Sequence, residues 1–338
     1  MLCVNFAKWW PNFSPERNFL VNALRMHFDV EIAANPDILF FSVFQGELPA
    51  GDYLKVFYTG EASRPDMSAA DWAFSYEYDE DFHHPRHLRV PLYAIEIDGR
   101  AFRDDWGREL VKTGDYADRI MAERRRDFCA YVAYKDAWAR CAMFDRLAAY
   151  HRVVAPGLSR NNAPPISDGD PGRSRGNGEF QALKCRFFQT FRFALVFENR
   201  SYRGYTSEKL VDAMRAGCIP IYWGNPAVAR EFNPRSFINV SDYEAAESAR
   251  FPGWLKRIPF FYKVFWRYCI MPRAMDRAAS VVREMDTDPG LQRAVLAEPW
   301  FHKNQPNRYF DPSPLNQRMR EIGESALARR QEGRRVPR

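Results

Sequence analysis

Residues 197–224 read FENRSYRGYTSEKLVDAMRAGCIPIYWG, and this stretch decides the fold. The apolar run 191–199 predicts a buried strand, 207–217 predicts a helix, and 218–224 predicts a second buried strand. A strand, a helix and a strand in this order form a βαβ unit, in which ligands bind at the carboxyl ends of the strands. The loop 200–206 and the start of the helix therefore lie at a candidate ligand site.

Lys209 lies in the first turn of this predicted helix, where the partial positive charge of the helix N-terminus disfavours a cation. An anion in the site reverses this preference, because backbone N–H groups at a helix N-terminus bind phosphate. We therefore expect Lys209 and the helix end to share a diphosphate. Phosphate would repel Glu208, so we expect that carboxylate to accept from ribose or sugar hydroxyls. A surface helix with both side chains exposed is the alternative.

Arg140 repeats this geometry in a second unit of the same kind. A strand is predicted over 127–134 and a helix over 136–150, with Asp136 as its N-cap. Arg140 then lies near the carboxyl end of another strand, where its planar guanidinium suits bidentate contact with phosphate oxygens. A solvated arginine is the alternative interpretation.

The first third of the chain alternates apolar runs and helical patterns, which favours a parallel α/β sheet. A helix is predicted over 14–28, with Ser14 as its N-cap. Strands are predicted over 2–7, 37–44, 53–60 and 72–77.

The length of 338 residues predicts two domains. A charged helical stretch over 104–126 separates the two α/β series, so we place the boundary there. The predicted organisation is an amino-terminal, acceptor-side domain over 1–123, a nucleotide-binding domain over 124–315 and a basic tail over 316–338. Within the second domain, 155–178 is rich in Gly, Pro, Asn and Ser, and is expected to be either a functional lid or disordered.

The formal net charge is +6, and it is unevenly placed. Residues 316–338 contain seven arginines and three glutamates, and so carry four of those net charges. The rest of the chain is nearly neutral, which argues against nucleic acid as a partner. The six cysteines show no zinc or CxxC spacing, so we expect free thiols in a reducing compartment. We also expect no signal peptide and no spanning helix.

The stretch 197–240 resembles the donor-binding signature of the α-1,3/4-fucosyltransferases, glycosyltransferase family 10. That signature is FEN, a short spacer, GY, two residues and EK, followed by an apolar helix and a PIYWG strand. Segments 6–44 and 55–66 resemble the bacterial branch, and 125–147 also matches. The resemblance covers most of 1–320, except the stretch near 250–273.

This resemblance implies an α/β fold of the GT-B type, with two Rossmann-like domains facing across a cleft. It implies GDP-fucose as the donor and inversion at the anomeric carbon. We expect no required cofactor and no bound metal, with a divalent ion at most stimulating the reaction. The family's general base falls on Glu61, at the carboxyl end of a predicted strand. Its donor contacts fall on Arg140, Asn199, Tyr205, Glu208 and Lys209.

One departure concerns the residue after Glu61. Bacterial members usually have asparagine there, whereas this chain has Ala62, so a group that could orient the acid or the acceptor is missing. The DxD patterns at 79–81, 168–170 and 286–288 are interpreted as chance matches rather than metal sites. If Glu61 is not the base, the next candidates are Glu77, Glu80 and the histidines at 83, 84 and 87.

Residues 254–273 contain seven aromatic and five basic side chains and no acid. Such a segment can lie on an anionic membrane surface, assisted by the arginines of 316–338. A core helix that packs the two domains together is the alternative. The first interpretation predicts a cytoplasmic protein, peripheral on the inner face of the cytoplasmic membrane.

The expected reaction moves L-fucose from GDP-β-L-fucose to O3 of N-acetylglucosamine in a surface glycan such as lipopolysaccharide O-antigen. The acceptor is then an N-acetyllactosamine-like oligosaccharide. Two alternatives stay open: a transferase that uses another GDP-sugar, and a non-catalytic nucleotide- or glycan-binding protein on the same fold. Glu61 disfavours the last alternative, because binding alone needs no base.

Overall fold

The computed structural model describes residues 1–10, 13–95, 107–123, 127–167, 178–251, 254 and 257–335. The predicted domain boundary at 123/124 lies at the edge of these residues, and the DxD pattern at 168–170 and residues 168–177 of the predicted lid lie outside them.

The amino-terminal half is built on a parallel sheet with the strand order β2-β1-β3-β4-β5-β6. Phe40 in the middle of this sheet pairs with Phe6 on one side and with Val56 on the other. Apolar side chains cover the central strands, as buried parallel strands require. The strands are β1 (Leu2–Ala7), β2 (Val30–Ile32), β3 (Ile38–Phe41), β4 (Leu54–Tyr58), β5 (Trp72–Ser75) and β6 (His87–Arg89).

The carboxyl-terminal half contains a second parallel sheet with the order β11-β10-β9-β7-β8. In each sheet the first strand in chain order lies between the second and the third. The order in which successive strands are added to the sheet therefore reverses at this point, although all strands stay parallel. Ligands of doubly wound sheets bind at such a switch point. The strands are β7 (Asp127–Ala130), β8 (Val153–Val154), β9 (Phe191–Leu195), β10 (Ile219–Tyr222) and β11 (Ile238–Asn239).

Helices pack beside the two sheets and complete the α/β architecture that the sequence predicts. A π-helical turn over Trp266–Ile270 joins α8 to α9. The helices are α1 (Phe19–Arg25), α2 (Asp79–Phe82), α3 (Tyr116–Ala122), α4 (Trp138–Ala148), α5 (Gly178–Phe188), α6 (Glu208–Arg215), α7 (Val240–Ala249), α8 (Pro259–Phe265), α9 (Met271–Thr287), α10 (Pro289–Ala297) and α11 (Ser313–Arg335).

The first helix is shorter than predicted, because Asn18 rather than Ser14 is its N-cap. The Asn18 side-chain oxygen accepts the Val21 N–H at 2.9 Å. Its amide group donates to the Ser14 carbonyl at 3.1 Å, so the preceding residues form a turn. The charged stretch predicted as helical over 104–126 is helical mainly over α3 within the described residues.

The predicted basic tail is corrected by the structure, because residues 316–335 belong to helix α11. Leu315, Met319 and Ile322 lie on one face of this helix and are buried in the amino-terminal core. They pack there with residues of α1 such as Leu20 and Leu24. The arginines on the outer face obscured this apolar stripe in the composition of the segment. The chain therefore returns to its first half after completing the second.

We predict that Ile322→Ala lowers the free energy of unfolding by about 2–5 kcal/mol, because it leaves a cavity in a core that is otherwise closed. Arg320→Ala on the same helix is the matched control, since its exposed pair with Glu324 contributes only about 0.5 kcal/mol or less. Urea unfolding of the full chain measures both. Similar stability of the two variants would contradict the assignment of α11 to the core.

Candidate active site

The site-bearing residues of the second half lie at the switch point of its sheet. Arg140 is in the first turn of α4, which follows β7, and Lys209 is in the first turn of α6, which follows β9. Strands β7 and β9 are hydrogen-bonded neighbours. The two cations that the sequence assigns to a diphosphate therefore meet at one edge of one sheet.

Lys209 is held by Glu198, a fully buried carboxylate just after β9. The lysine Nζ donates to a Glu198 oxygen at 3.2 Å and to Ser207 Oγ at 2.8 Å. Glu198 also accepts the Ser207 N–H at 2.7 Å, so it ties the start of α6 to the end of β9. Burial alone would lower the pKa of Lys209, but Glu198 and Glu208 outweigh it and raise that pKa above its usual value. A cation at this helix N-terminus is thus stabilised by buried acid.

Arg140 is also buried, and its guanidinium is only partly satisfied. Its Nη2 donates to Asn199 Oδ1 at 2.5 Å and its Nη1 to the Lys135 carbonyl at 3.3 Å. Its Nε is buried without a hydrogen-bond partner among the described residues. Buried N–H groups are rarely left unpaired, so this cation is suited to receive an anion. The predicted cap of α4 is wrong: Ala137 is the N-cap, and Asp136 accepts from Ser159 Oγ at 2.6 Å.

Glu208 and Tyr205 flank Lys209. A Glu208 oxygen lies 3.6 Å from the lysine Nζ. Burial would raise the pKa of Glu208, but Lys209 and Lys184 outweigh burial and lower it to about 2, so this carboxylate is an acceptor at neutral pH. Tyr205 is buried, and its ring meets Tyr76 of the first half edge-on, with centroids 4.8 Å apart.

Glu61 follows β4, at the carboxyl edge of the first sheet. The Glu61 N–H donates to Thr59 Oγ1 at 3.0 Å, which shapes the turn, while the Glu61 side chain stays exposed to the cleft. Partial desolvation raises the pKa of Glu61 above its usual value; the charge of Lys209 opposes this shift, and Glu208 adds to it. Glu61 is therefore within electrostatic range of Lys209 and Glu208 of the second half. Ala62 is buried at the same boundary, against Tyr76.

Three of the other candidate bases, Glu77, Glu80 and His87, are engaged in structural contacts. Glu77 accepts from the Tyr202 hydroxyl and from Arg64. Glu80 pairs with Arg230 and Arg308. The buried ring of His87 lies between Ser75 Oγ at 2.8 Å and Asp79 at 2.9 Å. Among the described residues of this region, Glu61 has an exposed carboxylate that forms no hydrogen bond or ion pair with another residue.

The remaining acidic patterns are also accounted for by protein contacts. Asp81 pairs with Arg203 and Arg230, and Asp286 pairs with Arg192. Within the described ranges, no group of three His, Cys, Asp or Glu side chains is arranged to hold a metal ion. All six cysteines are free thiols.

Two surface cavities, of about 290 and 330 Å³, lie away from these residues. The first is lined by residues such as Arg192 and Ile219, and the second by residues such as Lys55 and Arg86. These positions are at the amino-terminal ends of the strands, opposite the edges that carry Lys209 and Glu61. We therefore place the site by its chemistry rather than by cavity size.

Glu198 and Ser207 are the main site residues that were not assigned from the sequence. Glu198 is the middle residue of the FEN tripeptide, and its position between a buried strand and a helix with an early lysine is the feature that could have identified it. Lys135, whose charge acts on Glu61, comes directly after the predicted strand 127–134 and was likewise not assigned to the site.

Two doubly wound halves whose strand ends carry facing charged groups define the GT-B class of glycosyltransferase fold. Residues 4–96 match the family model for the alpha-(1,3)-fucosyltransferase FucT N-terminal domain, and residues 121–269 match the model for the carboxyl-terminal part of glycosyltransferase family 10 (fucosyltransferase). The two models together span most of the chain, and the chain belongs to glycosyltransferase family 10.

Relatives and solved structures agree with this assignment. Alpha-(1,3)-fucosyltransferase FucT from Helicobacter pylori is 27% identical over 285 residues, which cover 73% of this chain. The match spans only 55% of the length of that relative. A crystal structure of an alpha1,3-fucosyltransferase with GDP superposes with a TM-score of 0.63 at 22% identity, covering 96% of this chain and 90% of the other. One with GDP-fucose gives a TM-score of 0.61 at 21% identity, covering 96% and 90%.

Proposed function

We propose that the protein is an inverting fucosyltransferase that moves L-fucose from GDP-β-L-fucose to a hydroxyl group of a glycan. The observation that carries this proposal is the packing of Ala62, next to Glu61, with Tyr76 and Tyr205, which brings Glu61 of the first half close to the start of α6 in the second. A base and a set of cations on opposite walls of one cleft suit a displacement in which the acceptor and the leaving group lie on opposite faces of the sugar.

The donor lies on the second half. Lys209, Arg140 and the N-terminal N–H groups of α6 hold the diphosphate, and the unpartnered Arg140 Nε donates to one of its oxygens. Glu208 accepts from hydroxyls of the ribose or of the fucose. Asn199 fixes Arg140 through its 2.5 Å hydrogen bond, and Tyr205 closes the site toward the first half.

In the reaction, Glu61 removes the proton of the acceptor hydroxyl as the hydroxyl oxygen attacks the anomeric carbon. The bond between that carbon and the β-phosphate oxygen breaks, and the electron pair leaves with GDP. Lys209 and Arg140 stabilise the negative charge that grows on the diphosphate. A raised pKa suits Glu61 to this role, since a stronger base accepts the proton more readily. These cations supply the charge stabilisation, so we expect a divalent ion at most to stimulate turnover.

We propose O3 of N-acetylglucosamine, in an N-acetyllactosamine-like part of a surface glycan such as lipopolysaccharide O-antigen, as the acceptor position. The support is the α-1,3 linkage in the name of the Helicobacter pylori relative. Transfer from a different GDP-sugar and nucleotide or glycan binding without catalysis are the competing functions. Assays of GDP-fucose hydrolysis and of fucose transfer to a panel of small glycans distinguish these three functions.

We predict that the protein binds GDP in preference to UDP and ADP, and that Lys209→Ala and Arg140→Ala each weaken GDP binding by about 1.5–3 kcal/mol. Each variant removes a charge-assisted contact to the diphosphate. Titration calorimetry measures the affinities. Arg146→Ala is the control, because Arg146 lies on α4 but pairs with Asp276 near the surface. Unchanged GDP affinity in both site variants rules out the diphosphate assignment.

We predict that Glu61→Gln lowers turnover by about two to four orders of magnitude and leaves GDP affinity unchanged. The base must be deprotonated and its pKa is raised, so activity should fall on the acidic side of the profile at a pH above the usual glutamate range. That acidic limb should be lost in Glu61→Gln. Glu80→Gln is the control, since Glu80 forms surface ion pairs. Near-normal turnover of Glu61→Gln would falsify the assignment.

The aromatic segment 254–273 has two faces. Trp266 packs beside Trp138 and Trp223 and donates to Glu244 at 2.7 Å, so one face belongs to the second half. On the other face, Phe260, Phe261 and Tyr268 are 73%, 62% and 70% exposed. These exposed rings favour the membrane interpretation over the alternative of a core helix that packs the two domains together.

We propose that this exposed face lies on an anionic lipid surface, which places the protein on the inner face of the cytoplasmic membrane. Lys263 and Arg257 are exposed beside the aromatic rings, and no acid lies in the segment to oppose them. No helix in the described part of the chain is long and apolar enough to cross a bilayer. We restrict the contact to 254–273, because Arg320, Arg329 and Arg330 of α11 are already paired with acids.

We predict that the full chain sediments with phosphatidylglycerol vesicles and not with phosphatidylcholine vesicles. Replacing Phe260 and Phe261 by serine should abolish that binding without lowering turnover on a soluble acceptor. Arg320→Ala should bind as the wild type does. Equal sedimentation of the serine variant, or none of the wild type, removes the membrane proposal.

A further inference from the structure

The loop 200–206, here termed the donor loop, belongs to the second half but is held by residues of the first. The Tyr202 hydroxyl donates to Glu77, and burial and this hydrogen bond raise the pKa of Tyr202 to about 12. The next residue, Arg203, donates through its Nε to Asp81 at 2.9 Å. The contacts therefore cross between the halves.

The next two residues of the donor loop continue the pattern. The Gly204 carbonyl accepts from Arg89 Nη2 at 2.9 Å, and the Tyr205 ring packs edge-on against Tyr76. Each residue from 202 to 205 thus contacts the segment 76–89 of the first half, here termed the clamp segment. The donor loop carries Tyr205 and leads directly into Ser207 and Lys209.

Gly204 shows how closely the two halves fit at this point. Its φ is +87°, a conformation that favours glycine, and an added Cβ would lie 2.2 Å from the Tyr76 carbonyl oxygen. Its N–H donates to Asn225 Oδ1 at 2.8 Å. The backbone of this one residue is therefore held from the second half through its N–H and from the first half through its carbonyl.

Arg89, which holds that carbonyl, is itself fixed by a buried ion pair. Its Nη2 lies 2.8 Å from one oxygen of Glu231 and 2.9 Å from the other. The Tyr93 hydroxyl donates to Glu231 at 2.6 Å, and the Tyr78 hydroxyl donates to it at 2.5 Å. With its guanidinium locked in this way, Arg89 holds its Nη2 toward the Gly204 carbonyl of the donor loop in one orientation, while its Nη1 donates to the Tyr76 carbonyl.

We propose that Arg89 and Glu77 are positioning residues of the donor site: through the donor loop, the acceptor half sets the affinity of the second half for the nucleotide sugar. This inference rests on the proposed function. It predicts that donor affinity and the docking of the two halves are energetically coupled, and that the second half alone does not form the complete donor site.

The test measures the dissociation constant of GDP by calorimetry on the full chain. Glu77→Ala and Tyr202→Phe remove the same contact from opposite sides, so each should raise the GDP dissociation constant about tenfold. The double variant should be no weaker than either single one, because the two side chains act through one interaction. With GDP-fucose as substrate, KM should rise while kcat at saturation changes less.

Asn18→Ala is the control. It removes the N-cap of α1, as a stability effect would require, and the side-chain hydrogen bonds of Asn18 go to Ser14, Pro15 and Val21 within the first half. This variant should melt at a lower temperature and keep the wild-type GDP affinity. Arg89→Lys is expected to weaken GDP binding more than Glu77→Ala; if it does not fold, the Glu77 and Tyr202 pair decides the question.

Hydrogen exchange separates this inference from the proposed function. Amides of 202–206 should exchange faster in Glu77→Ala than in the wild type, and Asn18→Ala should leave them unchanged. GDP affinity within twofold of the wild type in both Glu77→Ala and Tyr202→Phe overturns the clamp, whatever their melting temperatures. If the wild type itself does not bind GDP, the proposed function fails, and unchanged loop exchange in Glu77→Ala then overturns the clamp as well.

Discussion

A buried ion pair between Arg89 of the first sheet and Glu231 of the second half joins the two parts of the molecule. Burial alone would lower the pKa of Arg89, but Glu231 outweighs burial and raises it, so the pair stays charged. Such pairs add little net stability compared with well-packed apolar residues, yet losing one partner costs about 3–5 kcal/mol. The main role of the pair is therefore to fix the orientation in which the carboxyl edges of the two sheets face each other.

That geometry sets the electrostatics of the cleft. Lys209 and Arg140 come from helices that start at neighbouring strands, and Glu198 balances Lys209 in the absence of ligand. Because Glu198 pairs with Lys209, the lysine keeps a counter-charge after a diphosphate leaves the site. Glu61 stands on the opposite sheet, where partial desolvation raises its pKa. Acid groups thus have two different roles, since Glu198 orders a cation and Glu61 is free to accept a proton.

The sequence predicted the architecture and the meeting of Arg140 and Lys209 at one sheet edge because these depend on local patterns. Apolar runs and helix starts determine the βαβ unit around Lys209, and that unit places the cations at a strand end. The strands were predicted too long at their carboxyl ends, since residues such as Tyr76 and Tyr131 continue the apolar pattern but lie beyond β5 and β7. The short strands β2 and β6 were missed, because three residues carry too little periodicity. The clamp and the place of α11 depend on contacts between distant residues, which no local pattern contains.

The central claim is that one cleft binds a nucleotide diphosphate between Arg140 and Lys209, with Glu61 facing it from the other half. The most direct measurement is a crystal structure of the full chain with GDP. The account predicts that the diphosphate oxygens lie within hydrogen-bonding distance of Lys209 Nζ and the Arg140 guanidinium, including its Nε, at the N-terminus of α6. GDP bound elsewhere, or at this edge without contact to either cation, would contradict it.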